Sequence, residues 1–126
     1  MAQYLLLLYQ DGASGANLDP KFMQEAIAKY QGWGQKLRDN GMYLGSHKLE
    51  NEPGKVLRGS GSKVLVTDGP YSETKEWLGG YYLIEAPNYA AAVEATRDCP
   101  HLEYGGTIEV REVDARVAAA NAKRAS

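Results

Sequence analysis

The stretch Val64-Leu-Val-Thr-Asp-Gly-Pro-Tyr-Ser-Glu-Thr-Lys-Glu-Trp-Leu-Gly-Gly-Tyr-Tyr-Leu-Ile84 places two β-like runs on either side of a polar turn, and its reading decides the fold. Asp68-Gly69-Pro70 is turn chemistry: glycine admits positive φ, proline fixes φ, and the aspartate carboxylate accepts from nearby backbone amides. Upstream, Lys55–Arg58 and Lys63–Thr67 flank Gly59-Ser60-Gly61 as the arms of a hairpin that feeds the Asp68 turn. Downstream, Leu78–Ile84 reads as a strong strand with Gly79-Gly80 at its start, and Tyr81 and Tyr82 must point to opposite faces. The turn between them carries Tyr71, Ser72, Glu73, Thr74, Lys75 and Glu76, more polar and ionisable groups than a strand connection needs.

Working outward, Gln3–Tyr9 is a short apolar run that suits a central strand. Asp19 and Pro20 supply an N-cap acceptor and a first-turn proline for a helix ending near Asn40-Gly41. Its apolar stripe, Phe22, Met23, Ala26, Ile27, Tyr30, Trp33 and Leu37, reads as core, and Gly32 and Gly34 are expected at a close contact or bend. Met42–Leu49 is a strand ending at the breaker cluster Glu50–Gly54. Asn88 caps a second helix that stops at Cys99-Pro100. In the final strand, Gly106–Val113, alternation sends Ile108 and Val110 to one face and Thr107, Glu109 and Arg111 to the other.

The order strand, helix, strand, hairpin insertion, strand, helix, strand is that of an α+β, ferredoxin-like split βαβ fold: an antiparallel sheet with two helices on one face. Residues 1–113 form this single domain, followed by an alanine-rich tail, 114–126, that is helical or frayed. The other sheet face lacks a cover, so a homodimer is expected.

The chain has 126 residues and 44% hydrophobic content, enough for one core. Its net charge of -2 provides no field to hold a polyanion, so direct nucleic-acid binding is not expected. The apolar run at the N-terminus is too short to span a bilayer and lacks the basic opening of a signal peptide. A lone cysteine, Cys99, closes no disulfide within the chain, which together with these features points to the cytoplasm. No metal-ligand spacing or phosphate-loop context is present, so no metal and no cofactor are expected.

Thr67-Asp-Gly-Pro-Tyr-Ser-Glu-Thr-Lys-Glu76, Leu78-Gly-Gly-Tyr-Tyr-Leu-Ile84, Gly105-Gly-Thr-Ile-Glu-Val-Arg111 and the opening Tyr4-Leu-Leu-Leu-Leu-Tyr9 resemble the DGPF-domain branch of the YCII-related proteins. Tyr71 stands where the namesake motif has phenylalanine. The resemblance implies a dimeric, barrel-like assembly of ferredoxin-like subunits, bacterial and cytoplasmic, with a pocket of enzymatic use. It also implies a regulatory setting beside extracytoplasmic-function sigma factors, and, from broader relatives, hydrolase or lactone-processing chemistry with a His and Asp pair. Those relatives carry a histidine on the first helix; this chain has none between Pro20 and Asn40.

His47 and His101 are the residues whose type exchanges protons near neutrality. His101 lies on the connection after Cys99-Pro100, from which it could reach Asp68, and is the expected general acid/base with Asp68 orienting it. Tyr9, Ser72, Lys75 and Tyr81 are the expected substrate holders. Ser72 as a nucleophile lacks the Gly-x-Ser-x-Gly elbow and reads better as a turn or cap residue. The competing reading is a non-catalytic ligand-binding or assembly protein acting with a regulator.

Overall fold

A computed structural model of the protein describes residues 1–11, 19–69 and 76–117. Cap chemistry sets the helix starts. Asp19 Oδ1 accepts from the Lys21 amide at 3.0 Å, one residue ahead of the proline that opens α1 (Pro20–Asp39). The Asn88 side chain accepts from the Ala91 amide at 2.9 Å and opens α2 (Tyr89–Thr96). Gly41, at φ 71°, ends α1 in the left-handed conformation that glycine adopts without steric cost.

Around these helices lie β1 (Ala2–Asp11), β2 (Tyr43–Lys48), β3 (Lys55–Arg58), β4 (Leu65–Asp68), β5 (Glu76–Ala86) and β6 (Thr107–Glu112), with the one-turn helix α3 (Pro100–Glu103) before β6. Four strands form one sheet in the order β2-β5-β1-β6, each neighbouring pair antiparallel. β1 and β2 therefore run parallel with β5 between them, and β5 and β6 run parallel with β1 between them. These are two interleaved split βαβ units, compatible with a ferredoxin-like fold. Among the described residues β3 and β4 pair only with each other, as a separate two-stranded ribbon.

Alternation divides the sheet into two faces. Tyr4, Leu6 and Leu8 of β1 and Ile84 and Ala86 of β5 are buried together with Trp33, Leu37, Ala92 and Cys99 from the helical side. Each large apolar side chain removed from water in this way contributes about 1.5–3 kcal/mol. Trp33 also ties α1 to α2: Nε1 donates to the Ala95 carbonyl at 3.3 Å and to Asp98 Oδ1 at 3.1 Å, while the ring meets Tyr82 edge-on at 4.8 Å.

Several expectations shift against these coordinates. β5 starts at Glu76, so Gly79-Gly80 lies within the strand, at a register shift opposite Leu8 and Tyr9. The α1 stripe is core only in its C-terminal half: Trp33, Gly34 and Leu37 are buried, whereas Phe22, Met23 and Ile27 are exposed. Gly32 has no close neighbour, since an added Cβ would meet nothing within 4 Å. His101 sits in the short helix α3, not on an open loop.

Because Gly32 faces open space on a helix, Gly32→Ala should stabilise the protein by about 0.5–1 kcal/mol through helix propensity. Urea denaturation checks this; a lower midpoint would mean that the helix needs flexibility there.

Candidate functional site

His101 is held by two elements distant in sequence. Its Nε2 lies 2.6 Å from the carbonyl oxygen of Tyr9 and its Nδ1 lies 3.1 Å from the Tyr30 hydroxyl. A carbonyl only accepts, so Nε2 carries hydrogen, and in the neutral ring Nδ1 accepts from Tyr30. The imidazole is buried, and Gly106 packs against it so closely that a Cβ at that position would overlap the ring. The Gly106 amide donates to the His101 carbonyl at 2.9 Å, completing the junction between α3 and β6. Tyr30 is held well above the usual phenol range, chiefly by burial and then by neighbouring Cys99. Burial likewise pushes the Cys99 thiol up to about 11, so it is a packed apolar group and not a poised thiolate.

Asp68 occupies a different setting. It ends β4 opposite Lys55, and the two form an exposed ion pair. The Lys55 ammonium, through its hydrogen bond and its charge, holds the Asp68 carboxyl below the usual carboxylate range. Within one chain His101 and Asp68 share no hydrogen bond: one is engaged by Tyr9 and Tyr30, the other by Lys55. Ser72 and Lys75 lie outside the described residues.

A second histidine pair lies on the sheet face turned away from the helices. His47 and Tyr81 are cross-strand partners in the β2–β5 ladder, and His47 Nδ1 is 2.6 Å from the Tyr81 hydroxyl oxygen. Tyr81 stands beside Leu7, and the next rank along the strands places Leu83 beside Leu5. On the far side of β1, Leu7 faces Glu109 and Leu5 faces Arg111. Alternation from buried Leu8 sends the Tyr9 ring to this same face, so Tyr9 and Tyr81 share it. The result is an apolar strip along β1 and β5 with a histidine–phenol pair at one margin and charged groups at the other.

On the helical side, a shallow groove of about 300 Å³ lies between α1 and the α2–α3 corner. Its lysines are already engaged: Lys29 reaches Glu103 at 2.6 Å, and Lys36 pairs with Asp98. Among the described residues, no group of three or more His, Cys, Asp or Glu side chains converges as a metal site requires. No helix among them is long and apolar enough to cross a membrane.

The YCII-related domain matches residues 2–115, nearly the whole described fold. The chain belongs to the YCII-related family. It is also similar to an uncharacterised protein of Rhizobium meliloti (strain 1021), 41% identical over 57 residues. That match covers 44% of this chain and 46% of the relative, so it spans less than half of either.

In this YCII-related domain, the sequence flags His101 by residue type but conceals both of its partners. Tyr30 and Tyr9 lie 71 and 92 residues away, and only the packing of α1, β1 and α3 brings them in. The Tyr81 partner of His47 was equally hidden, because it depends on strand register. The signal that could have found it is the alternation that sends His47 opposite to Ser46 and Lys48.

Gly106→Ala should displace the His101 ring and break its bond to Tyr9, lowering stability by about 1–3 kcal/mol, the typical penalty for overpacking. Gly105→Ala is a poor control because Gly105 has φ 82°, so the comparison is with Gly32→Ala. Thermal melts of the two variants should move in opposite directions; an unchanged Gly106→Ala midpoint would show that the junction is loose.

Proposed function

We propose that this YCII-related protein is a homodimer that binds a small molecule between two apposed sheet faces, where a histidine supplies acid–base chemistry. The observation that carries the reading is the strip of Leu5, Leu7, Tyr9, Tyr81 and Leu83, partly buried by strand neighbours but covered by no helix among the described residues. Four strands spaced about 4.8 Å apart and six residues long give a face of roughly 400 Å² in plan, about half of it the apolar strip of β1 and β5. A two-fold axis would set the strip against its own copy, leaving the polar margins as rims. The β3–β4 ribbon adds exposed Leu57, Leu65 and Val66, which a lone hairpin could not keep ordered without support. The Asp68-Gly69-Pro70 turn supports the DGPF branch of the family, and with it the dimeric barrel and the bacterial, cytoplasmic setting.

Sedimentation equilibrium at micromolar concentration should give twice the 13.8 kDa chain mass, and Leu7→Arg, which puts a charge into the strip, should shift the protein to monomer. A wild-type monomer would reject the assembly.

A second reading keeps His101 as the general acid/base, with Asp68 supporting it and hydrolysis of a lactone or ester as the reaction. Its support is the Tyr9 carbonyl, which fixes the tautomer and leaves Nδ1 as the basic atom, relayed through the Tyr30 hydroxyl. Small lactones and esters turned over by the wild type should then resist His101→Ala protein. Equal rates in the two would remove His101 from the reaction and leave the regulator-associated binding role.

A further inference from the structure

We propose that His47 and Tyr81 form a bifunctional proton-transfer site for small enolisable carbonyl compounds. This deepens the reading above by naming a chemistry for the same sheet face, and it rests on that reading for the small molecule bound there.

The argument begins with a proton count. A neutral imidazole and a phenol that share one hydrogen bond have one further hydrogen between them to present outward. If Tyr81 donates to Nδ1, the pair shows the ligand an Nε2–H donor and the lone pairs of the phenol oxygen. If Nδ1 donates to Tyr81, the pair shows a bare Nε2 acceptor and a phenolic O–H donor. Either arrangement offers one donor and one acceptor side by side, and a proton moving along the 2.6 Å contact, coupled to transfer of the outward proton through the ligand, converts one into the other. His101 has no such freedom, because a backbone carbonyl claims its Nε2 and Tyr30 its Nδ1.

The chemistry matched to a donor and an acceptor that exchange roles is a proton shift between two atoms of one molecule. Starting from the Nδ1–H form, Nε2 removes a proton from the carbon next to a carbonyl. The electron pair of that C–H bond becomes the C=C bond, and the carbonyl π pair moves onto oxygen. That oxygen takes the Tyr81 phenolic proton, and Nδ1 returns a proton to the Tyr81 oxygen. The substrate leaves as its enol and the pair is left in the Nε2–H form. No oxidant, reductant or co-reactant enters, and the reverse sequence ketonises an enol.

The backbone holds this pair in place. His47 and Tyr81 lie directly opposite in the ladder, and neighbouring Gly80 lets the two strands close, since a Cβ there would stand 2.9 Å from the His47 carbonyl oxygen. His47 is exposed and Tyr81 partly buried, so the pair sits where solvent meets the apolar strip. A substrate with an apolar body would lie along Leu7, Leu5 and Leu83 and present its carbonyl to the pair.

The test is deuterium incorporation from D₂O, followed by proton NMR, at the acidic carbon of phenylpyruvate, pentane-2,4-dione and oxaloacetate. Wild type should accelerate exchange of at least one probe over buffer. Tyr81→Phe and His47→Gln, surface changes expected to keep the fold, should each lower that rate by about 100-fold, the usual scale of general acid–base assistance. No acceleration of any probe, or a loss of less than about threefold in both variants, would overturn the proposal. Sedimentation of the same samples separates the two ideas. A monomeric wild type that still exchanges through His47 and Tyr81 would refute the assembly alone, and a dimer without exchange would refute the dyad alone.

Discussion

A four-stranded antiparallel sheet that, among the described residues, carries helices on one face only is the constraint from which the rest of this structure follows. Tyr4, Leu6, Leu8 and Ile84 turn to the helices and are buried. Because side chains alternate along a strand, the same pattern obliges Leu5, Leu7, Tyr81 and Leu83 to turn the other way. The sequence is apolar on both sides of β1, as strands buried on both faces are, yet among the described residues the helices lie on only one side. Burial on the helical side stabilises the domain; among the described residues no helix packs on the opposite side.

His101 shows how strongly the covered side is built. A histidine inside an apolar layer costs stability unless both nitrogens find partners, and here a β1 carbonyl and an α1 phenol meet them. The ring thus joins β1, α1 and α3 at the point where the chain turns into β6, with Gly106 leaving room for it. His47 presents the opposite case: it is exposed, with Nδ1 held by the Tyr81 hydroxyl. The same residue type is buried with both nitrogens engaged on one side of the sheet and exposed beside a phenol on the other, and its neighbours make the difference.

What could be read from the sequence was local. Asp19-Pro20, Asn88 and Gly41 announce helix ends through cap hydrogen bonds and positive φ, which need only nearby residues, and those ends stand as read. The alternation of Ile108 and Val110 against Thr107, Glu109 and Arg111 also holds, because the pleat has period two. What depended on tertiary placement was less accessible. The Gly79-Gly80 pair looks like a strand boundary, but β5 passes through it by shifting register against β1. The stripe of α1 predicts burial along its whole length, whereas only the half that reaches the sheet is buried, leaving Met23 and Ile27 exposed. The membership of the YCII-related family was legible in motifs; the hydrogen bonds of His101 to Tyr9 and Tyr30, and of Asp68 to Lys55, were not.

The central claim, that the bare sheet face is covered by a second copy, is tested most directly by small-angle X-ray scattering of the wild-type protein at micromolar concentration. Two closely apposed chains of 126 residues should show a radius of gyration of about 18 Å, with forward scattering for a doubled mass. A radius of about 14 Å with the mass of one chain would contradict the account.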